Sequence, residues 1–577
     1  MKLISLILIL SLPILLTNEC FLLSQPKREV RAVWLTTNFQ LDWPPSHTYN
    51  PEIQKQKLIE ILDNLKSKNF NTIYFQVRSQ GSVMYKSNLE PWSPYLTGTL
   101  GKAPSYDPLE FLIKEARKKF FEVHAWINVF PVKSGDAKIP ISDPPHIMLA
   151  RPEWIRIHRE NNQNVYWLDP GLPEVRDYIK NICIELTKNY DIDGIHLDYI
   201  RYPGKSFNDT LTFRMYGGGR TLDDFRRESI NQLITEIYDT VTFIKPHVKV
   251  GSAPIGIYEN ISDAKGLEGK NALFQDSREW LRSKKHDYMV PQIYWDIQNN
   301  PKFESLVHDW TKNNYGRHII AGIGAYNDDV FKELEEQINI TRKYNAAGQS
   351  FFRYENIKDT KFNSYKYLAN IPPMNWKDSI PPKAPYLLSG KNLKGKLGLV
   401  ELVWGIPEQA EDGDTAKYYN IYKGLTKNIN RNSPRYLYTF SNTYYFYDFI
   451  SKPVQTEFYY QVTSLDKLHN ESIEATEIIK VKLENLIEAL SDAFPVIKVA
   501  ISFNKNLLTC FIELTHADKG KIELCDDQGV LIKKIYEGKF SPGLNSIQFE
   551  IPQLRKKKFE LKIYFSDRIE KIDFELN

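Results

Sequence analysis

The run Asp193-Gly-Ile-His-Leu-Asp198-Tyr-Ile-Arg-Tyr-Pro203 ends an apolar, strand-like segment on a carboxylate, with Arg201 and Tyr202 close behind. A carboxylate so placed is suited to proton transfer or nucleophilic attack. Cleaving a glycosidic bond needs two such groups, one protonated toward the leaving oxygen and one ionised as nucleophile or base. Arg201 is expected to keep Asp198 ionised, which assigns it the second role. Its expected catalytic partner is Asp276 in Gln275-Asp276-Ser277, ahead of a helix, where the same residue serves equally well as an N-cap. Asp296, Glu259 and Glu355 are weaker candidates, and Asp169 in Trp167-Leu-Asp-Pro-Gly171 reads as a turn and helix-entry residue.

Alternation along strands groups further side chains with these carboxylates. Gln76 and Arg78 share one face of a strand, as do His124, Trp126 and Asn128, then His196 and Asp198, then Gln292, Tyr294 and Asp296. A purely structural core would place Val, Ile or Leu at such positions. These residues, with Arg201, Tyr202 and Trp295, form the expected substrate-binding set. Trp92, Trp126, Trp295 and Tyr326 fall in or beside connecting loops and offer flat apolar faces for sugar rings. No His/Cys/Asp cluster has metal-ligand spacing and no G-x-S-x-G occurs, so neither a metal, a cofactor nor a serine nucleophile is expected.

The elements that must position these residues alternate strand and helix from Arg28 to about Ile371. Strands are expected at 31–36, 72–78, 122–129, 194–200, 248–255, 288–295, 318–323 and 348–352. Helices between them include 57–66, 173–188, 222–242, 277–284, 303–313 and 328–344, and one opening at Asp107-Pro108-Leu109-Glu110, a capping sequence with Pro at the first position. Eight sustained β-α units predict a closed (β/α)8 TIM barrel, an α/β fold, with its site at the C-terminal strand ends. No G-x-G-x-x-G follows the first strand, which weighs against a dinucleotide-binding sheet. A proline-rich linker (372–385) closes the barrel. Two β-sandwich domains are expected after it, at 383–483 and 494–577.

Residues 1–24 read as a secretory signal: Met1-Lys2, then an apolar run from Leu3 to Leu16 too short to span a bilayer. The mature chain is expected to begin between Cys20 and Arg28. Glu19 stands where a lipoprotein signal needs a small residue, so secretion is favoured over lipidation at Cys20. Of the four cysteines, Cys183 lies in an apolar helical pattern, and Cys510 and Cys525 are spaced for neighbouring strands, where a bridge is open. With 75 Lys+Arg against 71 Asp+Glu there is no basic excess of the kind nucleic-acid binding requires. The expected partners are a polysaccharide or oligosaccharide and the export machinery, with no membrane span in the mature chain and a secreted or cell-surface location.

Six motifs carry a resemblance: Arg31-Ala-Val-Trp-Leu-Thr36, Phe75-Gln-Val-Arg78 with Gly81, Glu90-Pro-Trp-Ser-Pro-Tyr-Leu-Thr-Gly98, His124-Ala-Trp-Ile-Asn128, the Asp193–Pro203 run and Pro291-Gln-Ile-Tyr-Trp295. In this order they resemble the glycosyl-hydrolase-like family 10. The resemblance implies a TIM barrel acting on a glycan such as the sugar strands of bacterial peptidoglycan. This chain has Ser79 and Ser82 where such proteins often carry Pro and Asp, so no acidic role is expected at 82. The 383–483 segment resembles a fibronectin type III module. Asp526-Asp-Gln-Gly529 with Ser541-Pro-Gly543 is similar to a type IX secretion sorting domain. The rival to a glycosidase is a non-catalytic carbohydrate-binding surface protein on the same scaffold.

Overall fold

The computed structural model describes residues 25–577 apart from positions 47, 161, 394–397, 451–455, 484–497, 505–506, 515–517, 542, 551–557, 567–568 and 576–577. The signal expected at 1–24, with Cys20, lies outside the described residues.

Eight parallel strands close on themselves. They are β1 (Val30–Leu35), β2 (Thr72–Ser79), β3 (Glu122–Asn128), β4 (Gly194–Asp198), β5 (Lys249–Ser252), β6 (Tyr288–Met289), β7 (His318–Ile323) and β8 (Gly348–Phe351). Each pairs with its neighbours in sequence, and β8 returns to β1 through Val30 opposite Gly348, which closes the barrel. The expected strand at 288–295 is broken: Pro291, which has no N–H to give, separates Tyr288–Met289 from Gln292–Ile293, and the second piece pairs with β7.

The helices wrap the outside: α1 (Pro51–Ser67), α2 (Pro108–Lys118), α3 (Pro173–Asn189), α4 (Leu222–Ile244), α5 (Ser277–Arg282), α6 (Phe303–Lys312), α7 (Asp328–Lys332) and α8 (Leu334–Lys343). α2 starts where its sequence dictates. The Asp107 carboxylate accepts from the N–H groups of Leu109 and Glu110, with Pro108 at the first helical position. The single helix expected at 328–344 is two, because the chain leaves helical geometry at Glu333. Val33, Phe75, Val123, Ile127, Ile195 and Leu197 face outward onto α1–α4 through Leu58, Leu112, Ile179 and Leu233, and this layer forms the main core. An antiparallel sheet of Pro131–Ser134, Gln163–Leu168 and Ile155–Glu160 follows β3, an insertion not anticipated from the sequence.

Two pairs of antiparallel sheets follow the barrel. The first pairs a three-stranded sheet (Tyr386–Asn392, Leu399–Gly405, Tyr445–Phe449) with a four-stranded one (Leu437–Ser441, Tyr418–Gly424, Glu457–Leu465, Ile479–Lys482), and Trp404, Tyr419 and Tyr460 lie in its core. The second pairs three strands between Lys498 and Glu550 with four between Asp518 and Glu575. A Cys510–Cys525 bridge is not formed. Both are buried thiols, and they belong to different sheets rather than to neighbouring strands.

The first sandwich seals the bottom of the barrel. His469 Nε2 lies 2.7 Å from Oε1 of Glu122 at the start of β3, and the Lys249 ammonium pairs with the same carboxylate. Arg28 donates to the His469 carbonyl at 2.9 Å. Burial opposes the charge on Glu122, but Lys249 and His469 outweigh it and hold the carboxyl well below its usual range.

Candidate active site

Asp198 closes β4 opposite Asn128 of β3, and its residue is 6% exposed. Three donors hold its carboxylate: the Tyr199 N–H at 2.8 Å and Gln292 Nε2 at 3.1 Å on Oδ1, and Trp126 Nε1 at 3.2 Å on Oδ2. Burial raises its pKa to about 6, against the pull of those donors and of Arg201. Burial, rather than Arg201, is the largest influence on Asp198. Desolvation outweighs a guanidinium that lies over the rings of Tyr199 (5.0 Å) and Trp167 (5.9 Å) without bonding the carboxylate. Tyr199 has φ +53°, a costly conformation for a tyrosine, and is 37% exposed beside Asp198.

Below Asp198 the interior is a chain of hydrogen bonds whose direction one residue decides. Trp34 Nε1, which can only donate, lies 3.0 Å from His196 Nε2, so that nitrogen carries no proton. Burial holds His196 well below its usual pKa, so the ring is neutral with its proton on Nδ1. Nδ1–H then donates to the Tyr288 hydroxyl (3.2 Å), Tyr288 O–H donates to His124 Nδ1 (2.8 Å), and His124 Nε2–H donates to Glu122 (3.2 Å). Tyr74 stacks on His196 with ring centroids 4.0 Å apart. Two glycines make room: a Cβ on Gly194 would stand 2.4 Å from His124 Nδ1, and one on Gly251 2.3 Å from the Tyr288 ring. His124 and His196 are thus floor residues, one layer beneath the mouth.

The other expected residues divide. Gln76 faces inward: its Nε2 donates to Asn128 at 3.3 Å, and its Oε1 takes the N–H groups of Thr37 and Asn38, tying β1's exit loop to the rim. Arg78 does not share that face. A register shift between Gln76 and Arg78 turns it into the wall, fully buried, where Glu90 binds it at 2.7 Å through both carboxylate oxygens. The Tyr178 hydroxyl on α3 completes that pair at 2.7 Å. Tyr202 is likewise buried away from the mouth, edge-on to Phe207 and Phe274, because its backbone N–H bonds the Leu273 carbonyl. Trp295 packs on the outer core near Gly256. Tyr294 stays at the mouth, stacked on Phe352 (5.6 Å) and edge-on to Tyr326, which is 54% exposed.

Asp276 precedes α5 but makes no capping bond with its side chain, and instead accepts from the Tyr258 hydroxyl at 2.6 Å. The N-cap alternative is not realised. Asp296 is occupied by the N–H groups of Gln298 and Asn299, Glu259 by Lys270 and Glu355 by Lys358. Asp169 holds Gly171 N and Thr212 at the entry to α3, as its turn sequence suggested. Trp34, Tyr74, Tyr288, Glu122 and Phe352 were missed. Trp34 and Tyr74 were within reach of the strand alternation, since Tyr74 precedes Gln76 by two. Besides His124 on its own strand, the partners of Glu122 come from β5 and from the sandwich, and no local pattern shows those.

Residues 29–344 match the family model described as Glycosyl hydrolase-like 10. The chain belongs to this family. Glycosyl hydrolase YngK of Bacillus subtilis (strain 168) is 32% identical over 484 residues, 78% of this chain and 93% of that protein. Glycosyl hydrolase DigH of Escherichia coli (strain K12) is 33% identical over 311 residues, 50% of this chain and 70% of its own. Among solved structures, alpha-L-fucosidase isoenzyme 2 from Paenibacillus thiaminolyticus aligns over 96% of this chain and 100% of its own, at 11% identity and TM-score 0.39, too loose to bear on chemistry. In this glycosyl hydrolase-like 10 member the Asp193–Pro203 motif supplies Asp198 to the mouth and Tyr202 to the wall.

Proposed function

We propose that the chain is an exported glycoside hydrolase that cleaves a polysaccharide such as a bacterial cell-wall glycan through two carboxyl groups, Asp198 and Asp276. The observation that carries this reading is Asp198: a buried carboxyl at a C-terminal strand end, held by Trp126 and Gln292, with a pKa raised to about 6. A carboxyl so shifted keeps its proton to higher pH than an ordinary carboxyl and can deliver it to a departing glycosidic oxygen. Asp198 is therefore the general acid of this proposal. Asp276, half-buried at the head of α5, is the second carboxylate. The two carboxyls of a glycosidase stand about 5–10 Å apart, so no direct bond between them is required. Tyr199, Tyr294, Tyr326 and Arg201 border the acid and supply faces and charge for sugar rings. Removal of residues 1–24 and delivery to the cell surface belong to the same proposal, as do a fibronectin type III-like role for the first sandwich and a sorting role for the second.

The test is release of new reducing ends from purified cell-wall glycan by the full chain, alongside Asp198→Asn and Asp276→Asn. Binding of the glycan by the parent protein with no release would instead favour the carbohydrate-binding reading.

A further inference from the structure

Asp378 lies on the segment leaving the barrel, and Asp412 and Asp414 lie on a turn of the first sandwich, in Glu411-Asp-Gly-Asp414. One carboxylate oxygen from each of the three lies within 4.8 Å of the others. Asp378 Oδ1 accepts from the Ile380 N–H, while Oδ2 is buried and, among the described residues, has no hydrogen-bond partner. A fourth carboxylate backs the group. Asp466 is 0% exposed. Its Oδ1 takes the N–H groups of Leu468 (2.7 Å) and Asn470 (2.9 Å), and its Oδ2 is buried without a described partner. Asn470 Nδ2 donates to the Asp378 carbonyl at 3.1 Å, which sets the 466–470 turn against Asp378.

Buried carboxylate oxygens with no donor, beside two further carboxylates, are costly unless a cation neutralises them. We propose that Asp378, Asp412 and Asp414, backed by Asp466, form a calcium site that clamps the barrel's exit segment to the first sandwich. The donors are all hard oxygens, with no His or Cys, which excludes a zinc-type preference. Several carboxylates converging from separate loops suit the larger, irregular calcium shell, whereas magnesium keeps most of its waters and uses one or two carboxylates. The exposed side at Asp412 and Asp414 leaves room for water ligands. The clamp would act on the barrel, because the 466–470 turn also carries His469, which reaches Glu122 in the floor.

Full-length protein dialysed against EDTA should bind one calcium per chain by titration calorimetry, with a Kd of roughly 10⁻⁴–10⁻³ M, as in extracellular modules. Thermal melting in 10 mM CaCl2 should rise by about 5 °C over EDTA. Asp414→Asn changes an exposed residue and should fold normally. It should melt at or above the parental temperature in EDTA, having lost one of the mutually repelling charges, and should gain nothing from calcium. Absence of binding heat and of any shift in the parent would overturn the site, as would an undiminished shift in Asp414→Asn. An equal response to 10 mM MgCl2 would overturn the assignment to calcium.

Discussion

The indole Nε1 of Trp126 donates to Oδ2 of Asp198 at 3.2 Å, so an aromatic residue on β3 helps to stabilise the charged form of the carboxyl on β4 against its burial. A donor to the carboxylate favours its charged form, so Trp126→Phe should raise Asp198 above its present value of about 6. With Asp198 as general acid, kcat/KM falls as pH rises through that value, and in the variant this alkaline limb should move to higher pH. A pH profile of both proteins checks this; an unmoved limb removes Asp198 from the acid role.

Asp198→Asn separates catalysis from stability. The folded pKa of Asp198 lies above the ordinary carboxylate value, so its contribution to stability is complete at low pH and is lost as pH rises from about 4 through about 6. At pH 7.5 the parent therefore holds a buried charge that the amide lacks. The variant should melt no lower than the parent there, while turnover falls by roughly 10²-fold or more. A destabilised variant with parental turnover would mean a purely structural aspartate.

Asp276→Asn retains an oxygen to accept from the Tyr258 hydroxyl, so the hydrogen bond at 2.6 Å can survive the loss of charge. A fall in kcat at unchanged melting temperature is expected. Parental kcat would remove Asp276 from the reaction and return attention to Asp296, Glu259 and Glu355.

Glu122→Gln should be costly. It leaves Lys249 buried in the barrel floor without its carboxylate, a loss of about 3–5 kcal/mol for a broken buried pair. Because the Glu122 carboxyl is held low, its stabilisation is present above the unfolded carboxylate value of about 4.3 and is lost only in stronger acid. Urea unfolding at pH 7 should show the deficit, and it should shrink as pH falls below about 4.

Two truncations should differ. Removing 494–577 should leave glycan hydrolysis and barrel melting near parental, since among the described residues the Gln548 hydrogen bond to the Tyr445 hydroxyl of the first sandwich is long, at 3.5 Å. Removing everything after 371 takes away His469 and Glu471, which hold Glu122, Lys27 and Arg28, and should lower the melting temperature or abolish soluble expression. Equal behaviour of the two truncated proteins would show that the first sandwich does not support the barrel.

The barrel itself was legible because its causes are local. Apolar periods switch between strand and helix, Asp107-Pro108 caps α2, and the face shared by Trp126 and Asn128, or by His196 and Asp198, is a matter of alternation along one strand. Departures came where one strand's geometry depends on another segment. The register shift that sends Arg78 to Glu90 reverses what alternation implies, and the Tyr202 backbone bond to Leu273 takes that side chain out of the expected binding set. The balance of influences on Asp198 has the same kind of origin. Arg201 is visible three residues away in sequence, but the desolvation that outweighs it is imposed by β3, β6 and the loops around them. The barrel floor joins Glu122 to His469 across 347 residues. Side-chain types and strand faces are local properties of the chain, whereas burial, charge balance and long-range partners exist only once the barrel has closed on its neighbour.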